Sequence, residues 1–273
     1  YVSAHAPERI DLMVRTHTHE DHICGLLEAA RLFPPAELWQ TLPPDYYRSL
    51  RPLDVSAAQN PSQSKFLRAL NDYITLCSLT EAHGGTVRAL HAGDSIPLCP
   101  GLCAEVLAPS AADCAALEQQ TSALYAETDS AAFLQKLSAL DARMNNYSLI
   151  LRLDYQGTRI LLPGDTNRAG YGGIADTELR ADLFKVGHHG QIDGADRALA
   201  DKIHPSAVVC CASSDRRYNS AHPDTLHLLE ACGARLYFSD CPCLPELHTP
   251  PHEALVFTVG RDGVLDARYL PEA

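Results

Sequence analysis

Between residues 16 and 22 the chain reads Thr-His-Thr-His-Glu-Asp-His, placing three imidazoles and a carboxylate, His17, His19, Asp21 and His22, within six positions. Neutral imidazole and ionised carboxylate are ligands that divalent zinc, iron and manganese accept. Side chains at i, i+2, i+4 and i+5 cannot all face one side of a helix, so their convergence calls for a tight loop. Two more groups of the same chemistry follow apolar runs. Asp165 closes Leu161-Leu162-Pro163-Gly164-Asp165, and His188 and His189 come after Leu183-Phe184-Lys185-Val186-Gly187. A surface loop that merely happened to hold three histidines would not be matched by Asp165 and His188 at two further strand ends.

The elements that must position these groups follow from hydrophobic period and punctuation. Residues 10–15, Ile-Asp-Leu-Met-Val-Arg, read as a buried strand running straight into the histidine cluster. After Gly25, Leu26, Leu27, Ala29, Ala30 and Leu32 recur at helical spacing up to Pro34-Pro35, which gives strand, ligand loop, helix. Residues 60–83 read as a helix opened by Asn60-Pro61-Ser62 and stopped by Gly84-Gly85. Short strands are expected at 86–90, 95–98 and 102–107, with one or two Ala- and Leu-rich helices inserted at 111–143. A hairpin follows, 147–153 against 158–162, turning at Gln156-Gly157. Later strands are expected at 183–186, 207–211, 235–238 and 254–259, with a helix near 225–232. No repeat, low-complexity tract or linker interrupts 1–273, so the expectation is one α/β domain with helical insertions near 60–83 and 111–143.

Composition limits what such a domain can do. The 273 residues are 46% hydrophobic, enough for a sizeable core. No run approaches the roughly 18 apolar residues of a membrane span, and residues 1–30 carry no basic-then-apolar leader pattern. A formal charge of -12 argues against a broad duplex-binding surface, because phosphate contacts need clustered Lys and Arg. A single scissile phosphate at a metal is still allowed, so a small molecule or a short nucleic acid is the expected partner. Many of the ten cysteines sit in apolar runs and read as reduced thiols, which favours the cytoplasm. Cys99, Cys103, Cys241 and Cys243 could form a structural zinc site, although their spacings are not those of zinc knuckles.

The motif His17-x-His19-x-Asp21-His22 resembles the signature loop of the metallo-β-lactamase superfamily. That resemblance implies a four-layer α-β-β-α sandwich with metal ligands on loops at one edge. His17 and His19 would then hold one metal, Asp21 and His22 a second, and Asp165 would bridge them. The last ligand would be His188, with His189 as the adjacent alternative. Within the superfamily the chain is most similar to the hydrolase-like domain of ComEC-type competence proteins. The residues that carry this similarity are Asn145-Asn146-Tyr147-Ser148-Leu149-Ile150-Leu151, Leu161-Leu162-Pro163-Gly164-Asp165, Lys185-Val186-Gly187-His188-His189-Gly190 and Asn219-Ser220-Ala221-His222-Pro223.

Three features depart from the pattern. Gln191-Ile192-Asp193 replaces the serines of the competence group, and the opening strands expected before Ile10 are absent, as in a fragment or an abbreviated half-sheet. No histidine stands where the superfamily's further first-site ligand would fall. His83 and His91 read as turn or surface residues, and Asn145 and Ser148 occupy the region.

The chemistry implied is hydrolysis by a hydroxide generated on two divalent metals, zinc first and manganese or iron as alternatives. Asp21 would orient the nucleophile, and His189 and His222 would contact substrate or protonate the leaving group, with Tyr218 and Asn219 extending that wall. His222 reads equally well as a helix-start residue before Pro223. Asn145 and Ser148, as substrate contacts, compete with a role in local backbone hydrogen bonding. A phosphodiesterase or nuclease is the first reading. The alternatives are a lactone, thioester or β-lactam hydrolase, or a metal-binding module without turnover.

Overall fold

The computed structural model describes residues 9–215 and 220–271, a mixed α/β chain with three sheets. In chain order its elements are β1 (Ile10–Val14), α1 (Glu20–Leu32), β2 (Pro35–Gln40), α2 (Pro61–Ala82), β3 (Thr86–Ala89), β4 (Ser95–Cys99), β5 (Leu102–Ala108), α3 (Ala111–Tyr125) and α4 (Ser130–Asp141). They continue with β6 (Ile150–Tyr155), β7 (Thr158–Leu162), α5 (Asp176–Leu179), β8 (Leu183–Lys185), α6 (Arg197–Ile203), β9 (Ala207–Cys210), α7 (Pro223–Ala231), β10 (Arg235–Phe238), β11 (Ala254–Val259) and β12 (Leu265–Leu270). Contacts divide these elements between two compact units.

The helix-rich unit comprises Val2–His91 and Pro109–Leu149. Its sheet is parallel, in the order β1-β2-β3, with Val14 opposite Trp39 and Trp39 opposite Arg88. Helix α2 starts where Asn60 accepts the Gln63 amide and Pro61 fills the first turn, whose N–H groups need no helical partner. The 111–143 segment forms two helices. Ser110 and Asp113 make a capping box for α3, and Asp129 caps α4. Leu117, Leu124, Leu137 and Leu140 from these helices are buried in the same core as Met13, Leu38, Phe66 and Leu70. Each such side chain contributes about 1.5–3 kcal/mol on burial, so the insertion is part of what holds β1 and its loop in place.

The strand-rich unit comprises Ala92–Ala108 and Ile150–Ala273. Its seven-stranded sheet runs β10-β9-β8-β7-β6-β5-β4. The β4–β7 half is antiparallel, and the β7–β10 half is parallel. Parallel neighbours bring strand ends to one edge of a sheet, which is how β7 and β8 deliver their following loops together. Ile150, Leu161, Phe184, Val186 and Val208 form the core of one face. The β11–β12 hairpin packs Phe257 and Tyr269 with Tyr237 and Leu183.

Several boundaries differ from the sequence expectation. Helix α1 starts at Glu20 rather than after Gly25, because its buried stripe of Ile23, Leu27 and Ala30 begins among the acidic and histidine residues. Asp21 and His22 therefore belong to its first turn, and only residues 15–19 form the loop between β1 and α1. The β6 strand starts at Ile150, since Met144–Tyr147 is a single 3-10 turn. Strands β2 and β12 and helices α5 and α6 were not expected. Among the described residues no helix is long and apolar enough to cross a membrane.

Gly25 lies exposed in the interior of α1, and a Cβ added there would meet nothing within 4 Å. Gly25→Ala is expected to raise stability by about 1 kcal/mol through helix propensity alone. A rise in the urea midpoint at unchanged slope would verify this, and a loss would mean that the helix does not run through Gly25.

Candidate metal centre

In the helix-rich unit β1 ends at Val14, and the chain turns through Arg15 to His19, the residue that precedes and caps α1. Arg15 is fully buried and anchors the turn from beneath. Its guanidinium donates to Thr18 Oγ1 at 2.5 Å and Gln40 Oε1 at 3.1 Å and lies 4.7 Å from the centre of the Tyr73 ring. Burial pulls its pKa below the ordinary arginine value.

Above this anchor the imidazoles gather. His17 is 1% exposed, with Nδ1 3.1 Å from Thr16 Oγ1 and 3.2 Å from Ser148 Oγ. Its Nε2 lies 3.1 Å from His19 Nδ1, and its ring centre lies 4.2 Å from that of His22. His19 Nε2 is 3.1 Å from Asp141 Oδ1, and Asp21 Oδ2 is 3.9 Å from His22 Nε2. A carboxylate only accepts, so neutral His19 donates its Nε2 proton to Asp141 and turns the Nδ1 lone pair towards His17. The His17 and His19 nitrogens then lie as far apart as two ligands of one ion. Metal–nitrogen bonds of about 2.0–2.1 Å span roughly 2.9 Å at a right angle and roughly 3.4 Å at the tetrahedral angle.

In the strand-rich unit Asp165 follows β7 and is 2% exposed. Its Oδ1 is 3.5 Å from Lys185 Nζ, which donates to the Gly164 carbonyl at 2.9 Å. Its Oδ2 is 3.0 Å from His189 Nε2. His189 Nδ1 lies 2.7 Å from the Cys211 carbonyl, an acceptor that fixes the proton on Nδ1. In the neutral ring the remaining nitrogen presents a lone pair to a carboxylate oxygen, and in the imidazolium it donates a proton to it. Two acceptors at that distance repel unless a proton or a cation lies between them.

The turn that aims His189 is unusual in its backbone. His188, His189 and Gly190 have φ of 46°, 52° and 72°, three successive left-handed residues. For the two histidines this conformation costs of the order of 1–3 kcal/mol each. It is held by the Ala221 and His222 amides, which donate to the His189 and Gly190 carbonyls at 2.9 Å. His188 points elsewhere, with Nδ1 2.7 Å from Asp193 Oδ1.

Other expected site residues fall as follows. Ser148 reaches His17, whereas Asn145 lies in the 3-10 turn before it. His222 caps α7, its Nδ1 accepting the Asp224 amide at 3.2 Å. Tyr218 and Asn219 lie outside the described residues. Cys99, Cys103, Cys241 and Cys243 join no group of three or more metal-ligand side chains among the described residues, and the ten cysteines are all free thiols.

The sequence reading missed Asp141, Lys185 and Tyr171 as neighbours of the clusters. Tyr171 is buried with an unpartnered hydroxyl, and burial together with the Asp165 charge raises its pKa above the ordinary phenol value. Lys185 stands in the segment Lys185-Val186-Gly187-His188, where the sequence assigns it no role. Nothing in the sequence ties Asp141 to His19.

No family model matches the chain. ComE operon protein 3 of Bacillus subtilis (strain 168) is 29% identical over 101 residues, which cover 36% of this chain and 13% of that protein's length. Among solved structures, a provisionally assigned metal-dependent hydrolase from Parabacteroides distasonis aligns with a TM-score of 0.43 and 12% identity, over 85% of this chain and 77% of that one. Zn(2+)-bound PqqB from Methylobacterium extorquens aligns with a TM-score of 0.41 and 11% identity, over 84% of this chain and 69% of that one.

Proposed function

We propose that the chain is a divalent-metal-dependent hydrolase of metallo-β-lactamase type, its elements belonging to one four-layer α-β-β-α domain, and that phosphodiesters are its first substrate class. The ligands in this reading are His17, His19, Asp21, His22, Asp165 and His189. His189 takes the place that the sequence pattern offered to His188, because His189 faces Asp165 while His188 is turned to Asp193. The observation that carries the reading is the buried Asp165 carboxylate set 3.0 Å from a histidine nitrogen whose partner nitrogen is committed to the Cys211 carbonyl. The donor set, imidazole and carboxylate without thiolate, suits zinc, manganese or iron.

A bound divalent ion supplies Lewis-acid activation of water and of the scissile bond. The protein's share is positional. Asp141 and the Cys211 carbonyl hold His19 and His189 in the tautomers that leave a lone pair for a ligand. Lys185 restrains one oxygen of Asp165, leaving the other on the His189 side. Asp21 sits in the first turn of α1, and it orients the attacking water. The motif similarity to competence proteins favours phosphodiesters over lactones, thioesters and β-lactams.

The test is elemental analysis of the purified chain together with hydrolysis of an activated phosphodiester, a thioester and a lactone, in the wild type and in Asp165→Ala. About two divalent ions per chain, with phosphodiester turnover lost in the variant, is the expected result. Turnover of the thioester or lactone alone would move the bond but keep the class. Metal without turnover of any of them would leave a binding module, and no metal after reconstitution would overturn the reading.

A further inference from the structure

We propose that Asp141, the last residue of the inserted helix α4, is a positioning residue that fixes the tautomer and orientation of His19 and so sets the affinity of the first metal position. This inference rests on the hydrolase reading, since His19 is a ligand only there.

An aspartate at a helix C-terminus is misplaced for the helix itself. The macrodipole there carries partial negative charge, and a carboxylate beside it costs about 0.3–1 kcal/mol. Its position is explained instead by what its two oxygens touch. Oδ1 lies 3.1 Å from His19 Nε2, and Oδ2 accepts from Ser62 Oγ at 3.2 Å, in the first turn of α2. A second link between the same helices runs from Gln63 Nε2 to Ser138 Oγ at 3.3 Å. Leu137 and Leu140, both buried, fix the α4 face that presents Asp141. The carboxylate is therefore held from its own helix and from α2 before it meets the imidazole.

The His19 ring has little freedom left. Phe66 of α2 meets it edge-on at 5.8 Å between ring centres, and His17 meets it at 4.8 Å. Within that slot the ring could still flip and exchange its nitrogens, and only a directional acceptor selects between the two states. Asp141 is such an acceptor. With it, Nε2 carries the proton and Nδ1 faces His17 Nε2. Without it, either tautomer and either ring orientation can form, and a ligand must be selected from a mixture. Carboxylate partners of ligating histidines are worth about 10–100-fold in metal affinity.

The experiment has two readouts on the full chain. The first is long-range proton–nitrogen NMR of the histidine rings in metal-free protein, which reports the tautomer of His19 whether or not a metal ever binds. The second is the zinc dissociation constant, measured by competition with a chromophoric chelator. The wild type is expected to show His19 protonated at Nε2. Asp141→Ala is expected to show a mixture and to bind zinc about 10–100-fold more weakly, with Asp141→Glu recovering part of the affinity. Ser62→Ala should produce a smaller loss in the same direction. A His19 tautomer that is the same in Asp141→Ala as in the wild type, or an unchanged zinc affinity in that variant, would overturn the proposal. Wild-type protein with the expected tautomer but no zinc binding would instead overturn the hydrolase reading on which it rests. Circular dichroism and the unfolding midpoint separate these outcomes from simple loss of fold, which would broaden all ring signals together.

Discussion

His17→Ala is expected to weaken the first divalent ion about a hundredfold while costing the fold only about 1–2 kcal/mol. The metal effect follows from sharing the roughly 10–16 kcal/mol of a four-ligand zinc site equally, which gives roughly 3 kcal/mol per ligand. The stability cost is smaller because the described contacts of His17, with Thr16, Ser148 and the His19 ring, are single hydrogen-bonding contacts, and removal leaves the two hydroxyls short of a buried partner. The two quantities therefore separate, and a competition titration run beside a urea melt will read both. His83→Ala is the control. That imidazole is exposed just past the end of α2 and bonds only to the Leu79 carbonyl at 2.9 Å among the contacts described, so its loss should move neither quantity. Equal zinc affinities for wild type and His17→Ala would remove the buried histidine pair from any account of the metal.

The strand–loop–helix unit around the histidines was legible because each signal was local. An apolar run gave β1, a 3.6-residue period gave α1, and the ligand types stood between them. The start of α1 was not legible. Its first buried residue, Ile23, is embedded among Glu20, Asp21 and His22, and polar residues in a first turn look like a loop until capping is seen. Strand β2 was hidden by its own first residue. Pro35 reads as punctuation after α1, yet a proline is tolerated at the start of a strand, and Leu38, Trp39 and Gln40 beyond it are buried.

The choice between His188 and His189 was out of reach for a different reason. Alternation would assign their directions in a strand, but here both take left-handed φ in a turn that Ala221 and His222 hold from outside. Asp141 stood furthest from view, because its meeting with His19 depends on how α4 packs, at a separation of 122 residues. Local physics thus reveals which residues could ligate. Long-range packing decides which nitrogen each ring turns to its neighbours.

Gly187→Ala should test that packing most severely. A Cβ at Gly187 would come within 2.4 Å of the Thr166 carbonyl oxygen, and one at Gly194 within 2.3 Å of the Gly187 carbonyl oxygen. Three backbone segments are thus in contact, the one after Asp165, the one before His188, and the one after Asp193. None of these contacts is with a flexible side-chain end, so relief requires the chain itself to move. The φ of Gly187 is not in the left-handed region, so alanine is conformationally allowed and would by itself stabilise by about 0.4–1 kcal/mol through the unfolded chain. Overpacking should exceed that gain and leave a net loss of about 2–4 kcal/mol. The same displacement would move His189 away from Asp165, so zinc binding should fall with stability. Gly173→Ala, where nothing lies within 4 Å of the added carbon, should do neither. If Gly187→Ala unfolds at the wild-type midpoint and binds zinc normally, the close backbone approach is not what brings the carboxylate and the imidazole together. The left-handed turn at 188–190 would then have to hold His189 on Asp165 by itself.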